Sequence, residues 1–286
     1  MSTSDPAGKS GPVPAWARVA ELLPDWDAPP RVKAFVTGRH GGVSRGPWGL
    51  ADGSAGGLNL GRHCGDDPTD VACNRARLEA LLPSPPRWLR QVHGTAVHVA
   101  APAQIAAASR PEAAREDDPR EPEADAAVTG AAGVVLAVLT ADCLPVLLAD
   151  TRARAVAVAH AGWRGLAAGV VERSVDALRE QAGRDAELIA WLGPAIGPRA
   201  FEVGDDVVHA FCDQDRAAAA AFVRGPREGK WLADLYRLAR IRLARVGVSR
   251  VSGGEHCTVH ERERFYSHRR DRVSGRMASL IWLDSR

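Results

Sequence analysis

Between Asp125 and His160 the chain strings together four apolar runs, "DAAVT", "GVVLAVLT", "PVLLAD" and "AVAVAH", with turn residues between them. Apolar runs of about four to eight residues, closed off this often by turns, are too short for helices and mark strands buried on both faces. Further runs of the same kind lie before and after: "RVKAFVT" (31–37), "ELIAWLG" (187–193), "VSRVSGG" (248–254) and "GRMASLIWL" (275–283). "WLRQVH" and "AVHVA" read as paired strands joined through Gly94 and Thr95. Helical spacing appears in "DDPTDVACNRARLEALL" (66–82), "RGLAAGVVERSVDALREQ" (164–181), "GDDVVHAFCDQ" (204–214) and "WLADLYRLARIRLARVG" (231–247). The strands come in clusters rather than in strict alternation with helices. The expected class is therefore α/β of the α+β type, a mixed β-sheet core flanked by helices.

No repeat or composition break divides the chain, so a single domain over 31–286 is expected. Residues 1–30, rich in Ser, Pro and Gly, read as a largely flexible tail. Residues 101–123, without apolar periodicity, read as an exposed loop. A net charge of +2 gives no electrostatic case for a nucleic-acid or membrane partner. The longest apolar run, Val134 to Ala149, is interrupted by Thr140, Asp142 and Pro145 and falls short of a ~20-residue span. The N-terminus lacks the continuous apolar core of a secretory signal. Five widely spaced cysteines do not suggest a disulfide framework, and a reducing cytoplasm is the expected setting. The oligomeric state, monomer or more, is left open.

Three polar residues interrupt this apolar pattern. Cys143 follows Asp142 between two runs, His160 ends the run "AVAVAH", and His93 ends "WLRQVH" before a glycine. One thiolate and two imidazoles suit zinc or copper, and three protein ligands leave a position open for water or substrate. The same residues also fit a nucleophilic Cys143 activated by His160, or a set of satisfied core side chains. Elsewhere the glycine-rich stretch from 41 to 68 brings Ser44 and Asn59, whose loop amides can hold anions. Arg164 stands at a helix start beside His160, and Arg269 with Arg270 can clamp an anion. "LGPAIGP" (192–198) reads as a rigid turn beside a site.

Taken together, "GGVS", "LNLG" with "GDDP", "QVHG", "TADCLPVLLAD", "HAGWRGL", "LGPAIGP" with "FEVG", and "FYSHRRD" with "GRMASLIWL" resemble the YfiH/laccase-domain family in content and order. This family is also described as multicopper polyphenol oxidoreductase, purine nucleoside phosphorylase and peptidoglycan editing factor. The resemblance spans about residues 31 to 284. Two features depart from it: Ala195 stands where many members carry a cysteine, and 101–123 looks like an insertion. The resemblance implies a cysteine-hydrolase-like α/β fold and metal ligands at His93, Cys143 and His160, with zinc, or alternatively copper, as cofactor. It also implies a cytoplasmic enzyme of purine nucleosides and phosphate. The activities implied are phosphorolysis of adenosine, inosine and methylthioadenosine, and deamination of adenosine. In that scheme Asp142 moves protons beside Cys143 and His160, while Ser44, Asn59, Arg164 and Arg269 bind substrate. The rival readings are a Cys–His amidase-like hydrolase acting in peptidoglycan precursor editing, a polyphenol oxidase, and a non-enzyme binding module with a structural trio. Nine histidines are few for a multicopper cluster, which ranks the oxidase low.

Overall fold

The computed structural model describes residues 19–102 and 121–285. The chain opens with β1 (Ala20–Leu22), β2 (Val32–Thr37) and β3 (His40–Ser44), then α1 (Pro68–Glu79). Next come β4 (Val97–Val99), β5 (Ala126–Thr129), β6 (Leu136–Thr140), β7 (Leu144–Asp150) and β8 (Val156–Ala161). Helices α2 (Trp163–Ala168) and α3 (Val170–Ala182) lead to β9 (Leu188–Leu192), β10 (Glu202–Val203) and α4 (Asp205–Cys212). The remainder is β11 (Phe222–Arg224), β12 (Trp231–Ala233), α5 (Leu235–Arg245), β13 (Arg250–Gly253), α6 (His268–Asp271) and β14 (Met277–Leu283).

The strands build two main sheets, six-stranded in the order β13-β9-β7-β8-β5-β4 and four-stranded in the order β1-β2-β14-β6, beside a small sheet β10-β12-β11. Both directions of pairing occur in the six-stranded sheet, so the expected mixed α/β architecture is observed. Strands β7 and β8 show why their sequences are apolar throughout. Leu144, Val146 and Leu148 face the helices α3 and α5, with Ala157, Ala159 and Ala161 beside them. The alternate residues Leu147, Ala149, Val156 and Val158 face the four-stranded sheet and meet Val36, Val138 and Ile281. One sheet thus serves two cores, and each residue of the run is buried. A third core on the outer side of the four-stranded sheet gathers Phe35, Leu58, Leu60, Leu78 and Trp88. Among the described residues no helix is long and apolar enough to cross a membrane.

Several local expectations are corrected. The stretch read as one helix over 164–181 is two, broken at Gly169, whose φ of 101° lies outside helical space. Trp231–Ala233 is a strand, and α5 starts only where the Asp234 side chain accepts from the Arg237 amide. "WLRQVH" and "AVHVA" do not form a hairpin: β4 pairs in parallel with β5, and His93 sits at φ 61° in a tight loop. The consecutive runs from 125 to 160 are divided, since β6 joins the four-stranded sheet and its neighbours the other.

Ordered structure also begins before residue 31, because Ala20–Leu22 pairs antiparallel with β2 and Glu21 takes a 2.6 Å contact from Arg264. Residues 1–18 of the expected tail and 103–120 of the expected loop lie outside the described residues. The end of that loop is anchored: Glu121 holds Arg75 at 2.8 Å and Arg62 at 3.2 Å.

Candidate metal centre

The antiparallel register of β7 and β8 sets Pro145 opposite His160, which brings Cys143, two residues before Pro145, to the same end of the sheet. His93 arrives from the loop ahead of β4. One ligand atom from each of His93, Cys143 and His160 lies within 4.8 Å of the others. The Cys143 Sγ to His93 Nε2 distance is 3.7 Å, and the two imidazoles meet edge to face at 4.7 Å between centroids. Their burial is graded: His160 is buried, Cys143 half-buried and His93 exposed.

Asp125, which sequence reasoning passed over, lies behind this trio. It heads the run "DAAVT" as an acid ahead of an apolar strand, the same kind of interruption that marks Cys143 and His160. His160 Nδ1 bonds to its carboxylate at 2.8 Å, leaving Nε2 directed toward the gap. Burial pushes the Asp125 carboxyl up, but hydrogen bonds from His160 and from the Gly94 and Val92 amides hold it below the usual carboxylate range. Burial pushes the Cys143 thiol up as well. The charge of His160 and hydrogen bonds from His160 and His93 outweigh that and bring it down to about 6. Burial pushes His160 down, and the Cys143 thiolate and the Asp125 hydrogen bond more than reverse this, to about 9. Both shifts favour a thiolate beside a protonated ring, and a metal binding here would displace the proton from His160 Nε2.

Glycines let the backbone close around the trio. A Cβ on Gly162 would lie 2.9 Å from both Cys143 Sγ and His93 Cδ2, and one on Gly165 would lie 2.9 Å from the Gly94 carbonyl.

The other candidates separate. Asp142 adjoins the site, but its carboxylate accepts from Thr258 Oγ1 and from the Arg269 amide, each at 2.6 Å, and it is 8% exposed. Its backbone stands at φ 95° in the loop, and these two donors occupy its carboxylate oxygens. Through its carbonyl it also receives the Ile196 amide, so "LGPAIGP" does pack beside the site. Arg164 is exposed in the first turn of α2, its guanidinium 4.5 Å from the Trp163 ring. Arg269 is half-buried, donating to the Glu202 carbonyl at 3.1 Å.

Ser44 and Asn59 are not available to a ligand. Both are fully buried and both donate to Asp66, at 2.7 and 2.9 Å, while Asn74 bonds Ser44 at 2.9 Å. The anion held by the glycine-rich loop is the protein's own carboxylate. A separate cavity lined by Asp25, Trp26, Asp27 and Arg250 holds none of these residues.

Comparison with known proteins places this geometry in context. A family model described as "Multi-copper polyphenol oxidoreductase laccase" matches residues 33–284. A protein of Pseudomonas aeruginosa named purine nucleoside phosphorylase is 48% identical over 264 residues, covering 92% of this chain and 98% of its own. YfiH of Escherichia coli, also named purine nucleoside phosphorylase, is 48% identical over the same shares of each chain. Among solved structures, a Neisseria meningitidis protein superposes with a TM-score of 0.78 at 46% identity, covering 92% of this chain and 99% of its own. YlmD of Geobacillus stearothermophilus does so at 0.72 and 32% identity, covering 90% and 93%. The match across nearly the full length of both sequence and structure means that the chain belongs to the multi-copper polyphenol oxidoreductase laccase family that includes YfiH.

Proposed function

We propose that this protein is a cytoplasmic, zinc-dependent purine nucleoside phosphorylase whose ion is held by His93, Cys143 and His160. The observation that carries the activity is the 48% identity to relatives named purine nucleoside phosphorylase over 98% of their length. The donor set supports the ion: one thiolate and two imidazoles, gathered within 4.8 Å, match zinc's preference, and one ring stays open to solvent. A bound zinc ion supplies Lewis acidity at that open position. In phosphorolysis a phosphate oxygen bonds to the ribose C1′ as the C1′–N bond to the base breaks, and the leaving base gains a proton. Arg164, exposed in the first turn of α2, holds the phosphate, and Arg269, whose amide bonds Asp142, is the second cation to test. Adenosine, inosine and methylthioadenosine are the substrates to test.

The experiment is a phosphate titration on zinc-loaded protein, with free base, ribose 1-phosphate and ammonia each followed by chromatography. Base and ribose 1-phosphate should appear together and only when phosphate is present. Ammonia alone would make the protein a deaminase, and release of base without phosphate would make it a hydrolase; either result rejects phosphorolysis.

A second reading is favoured by one arrangement. Asp125, His160 and Cys143 follow the order carboxylate, imidazole, thiol used by cysteine nucleophiles. In that reading the protein is an amidase-like hydrolase, stripping the metal leaves turnover intact, and substrate forms a covalent adduct at Cys143.

A further inference from the structure

Asp125 is wholly buried, which for a carboxylate is costly unless every lone pair has a donor. Four donors converge on it. Oδ2 accepts from the amides of Val92 at 3.1 Å and Gly94 at 2.6 Å. Oδ1 accepts from the His93 amide at 2.9 Å and bonds His160 Nδ1 at 2.8 Å. Three successive amides folded around one anion form a nest, and they hold His93 at φ 61°, a conformation that a non-glycine residue adopts only when its surroundings impose it. The neighbouring carbonyl of Asp125 accepts the His160 amide at 2.7 Å, which ties the same residue to the backbone of β8.

We propose that Asp125 is the positioning residue of the centre, setting one histidine through its backbone and the other through its ring. The inference rests on the metal reading above and deepens it. Asp125 acts through the residues it bonds rather than as a ligand itself. It aims the His160 ring by fixing the proton on Nδ1, so that Nε2 is the ligand atom. It also brings His93 over Cys143 by gathering the amides on either side. An outer carboxylate of this kind commonly orients a metal-binding imidazole. Here a single group does so for both imidazoles of the set.

Asparagine at this position exposes the dependence. An amide keeps one acceptor oxygen and offers an NH2 group in place of the other. With the NH2 at the Oδ1 position, it opposes the His93 N–H, and His160 must accept through Nδ1. The ring proton then moves to Nε2 and blocks ligation. With the NH2 at the Oδ2 position, it opposes the Val92 and Gly94 amides and the loop opens. Either orientation spoils one histidine.

The test uses full-length protein stripped of metal and reloaded with zinc. In Asp125→Asn, competition with a chromophoric chelator should show zinc affinity lowered by ~10–100-fold, the usual effect of losing such an outer partner. The cobalt-loaded variant should show an altered visible spectrum, which loss of stability alone would not produce. A folded variant binding zinc within about twofold of wild type, against that expected range, overturns the proposal. If the variant does not fold, nitrogen-15 spectra of the histidine rings in the wild type decide. His160 should keep its proton on Nδ1 both with zinc bound and, metal-free, above the pH at which the ring becomes neutral; a bare Nδ1 overturns the assignment. Wild-type protein that takes up no zinc sinks the metal reading instead, and the ring spectrum of that same protein still tests Asp125.

Discussion

Gly162 shows how little room the centre leaves. Its missing side chain is what allows Cys143 Sγ and the His93 ring to approach, since a Cβ there would stand 2.9 Å from each. Gly162→Ala should therefore lower zinc affinity by at least about tenfold, an energetic change of ~1.4 kcal/mol, while thermal unfolding of the metal-free protein moves little. Wild-type affinity in a chelator competition would show that the trio can shift at no cost. The thiol gives a second expectation at this scale. With Cys143 brought down to about 6 and His160 raised to about 9, the metal-free thiolate persists well below the pH at which an ordinary cysteine loses its proton. Alkylation by iodoacetamide should rise through an apparent pKa of about 6 and level off. A rate still climbing between about pH 7.5 and 9, as for a free thiol of pKa ~8.5, would refute the ion pair. Zinc should suppress the reaction.

Among the elements, the break between α2 and α3 does the most to frame the site. Gly169, at φ 101°, ends α2 and starts α3, so α2 stays against the trio while α3 lays Val170, Val171, Val175 and Leu178 on the sheet. The nearest atoms to a Cβ at 169 are 3.6 Å away or more. Space is thus available, and the cost of substitution is conformational. Gly169→Ala should destabilise the fold by ~1–2 kcal/mol, the penalty of a left-handed backbone for a residue with a Cβ. Calorimetry should show a midpoint lowered by about 2–4 °C per kcal/mol; an unchanged midpoint would show that the two helices tolerate a continuous path. Sequence periodicity runs through this glycine because the apolar stripe of α3 continues smoothly from "GLAAG", and a single glycine inside such a pattern does not by itself mark a break. The missed loop at His93 has the opposite cause. The hairpin pattern of "WLRQVH" and "AVHVA" is sound locally, and it is overridden by a carboxylate more than thirty residues later in the chain.

For the molecule as a whole, the two-sheet body does not need the centre to stand. Its cores are apolar and lie on both faces of β7 and β8, while the trio occupies only one end. Cys143→Ser should accordingly keep the metal-free midpoint and lose the stabilisation expected of added zinc, which for a site at a hundredfold excess over Kd is ~2.7 kcal/mol. A serine variant that unfolds, or that still gains stability from zinc, would contradict this division of labour. The same architecture explains what could be read in advance. His160 stands out because a polar residue in a doubly buried strand needs a reason, and Cys143 because it separates two such strands, which are themselves visible as apolar runs. Which sheet each strand joins was not visible, because β6 and β7 are apolar on both faces and alternation carries no address. Ser44 and Asn59 misled because a polar residue in a glycine-rich loop looks like a ligand-binding group until its internal partner, Asp66, is seen.

The graded burial of the trio carries a kinetic consequence. His160 belongs to a strand at the centre of the six-stranded sheet, and Cys143 adjoins another, so neither can withdraw without opening the body. His93 rides on a short exposed loop tied down through three amides to a single carboxylate. An ion in this centre would leave by release of that one loop, through a two-ligand state, at a rate set by the loop's own breathing rather than by global unfolding.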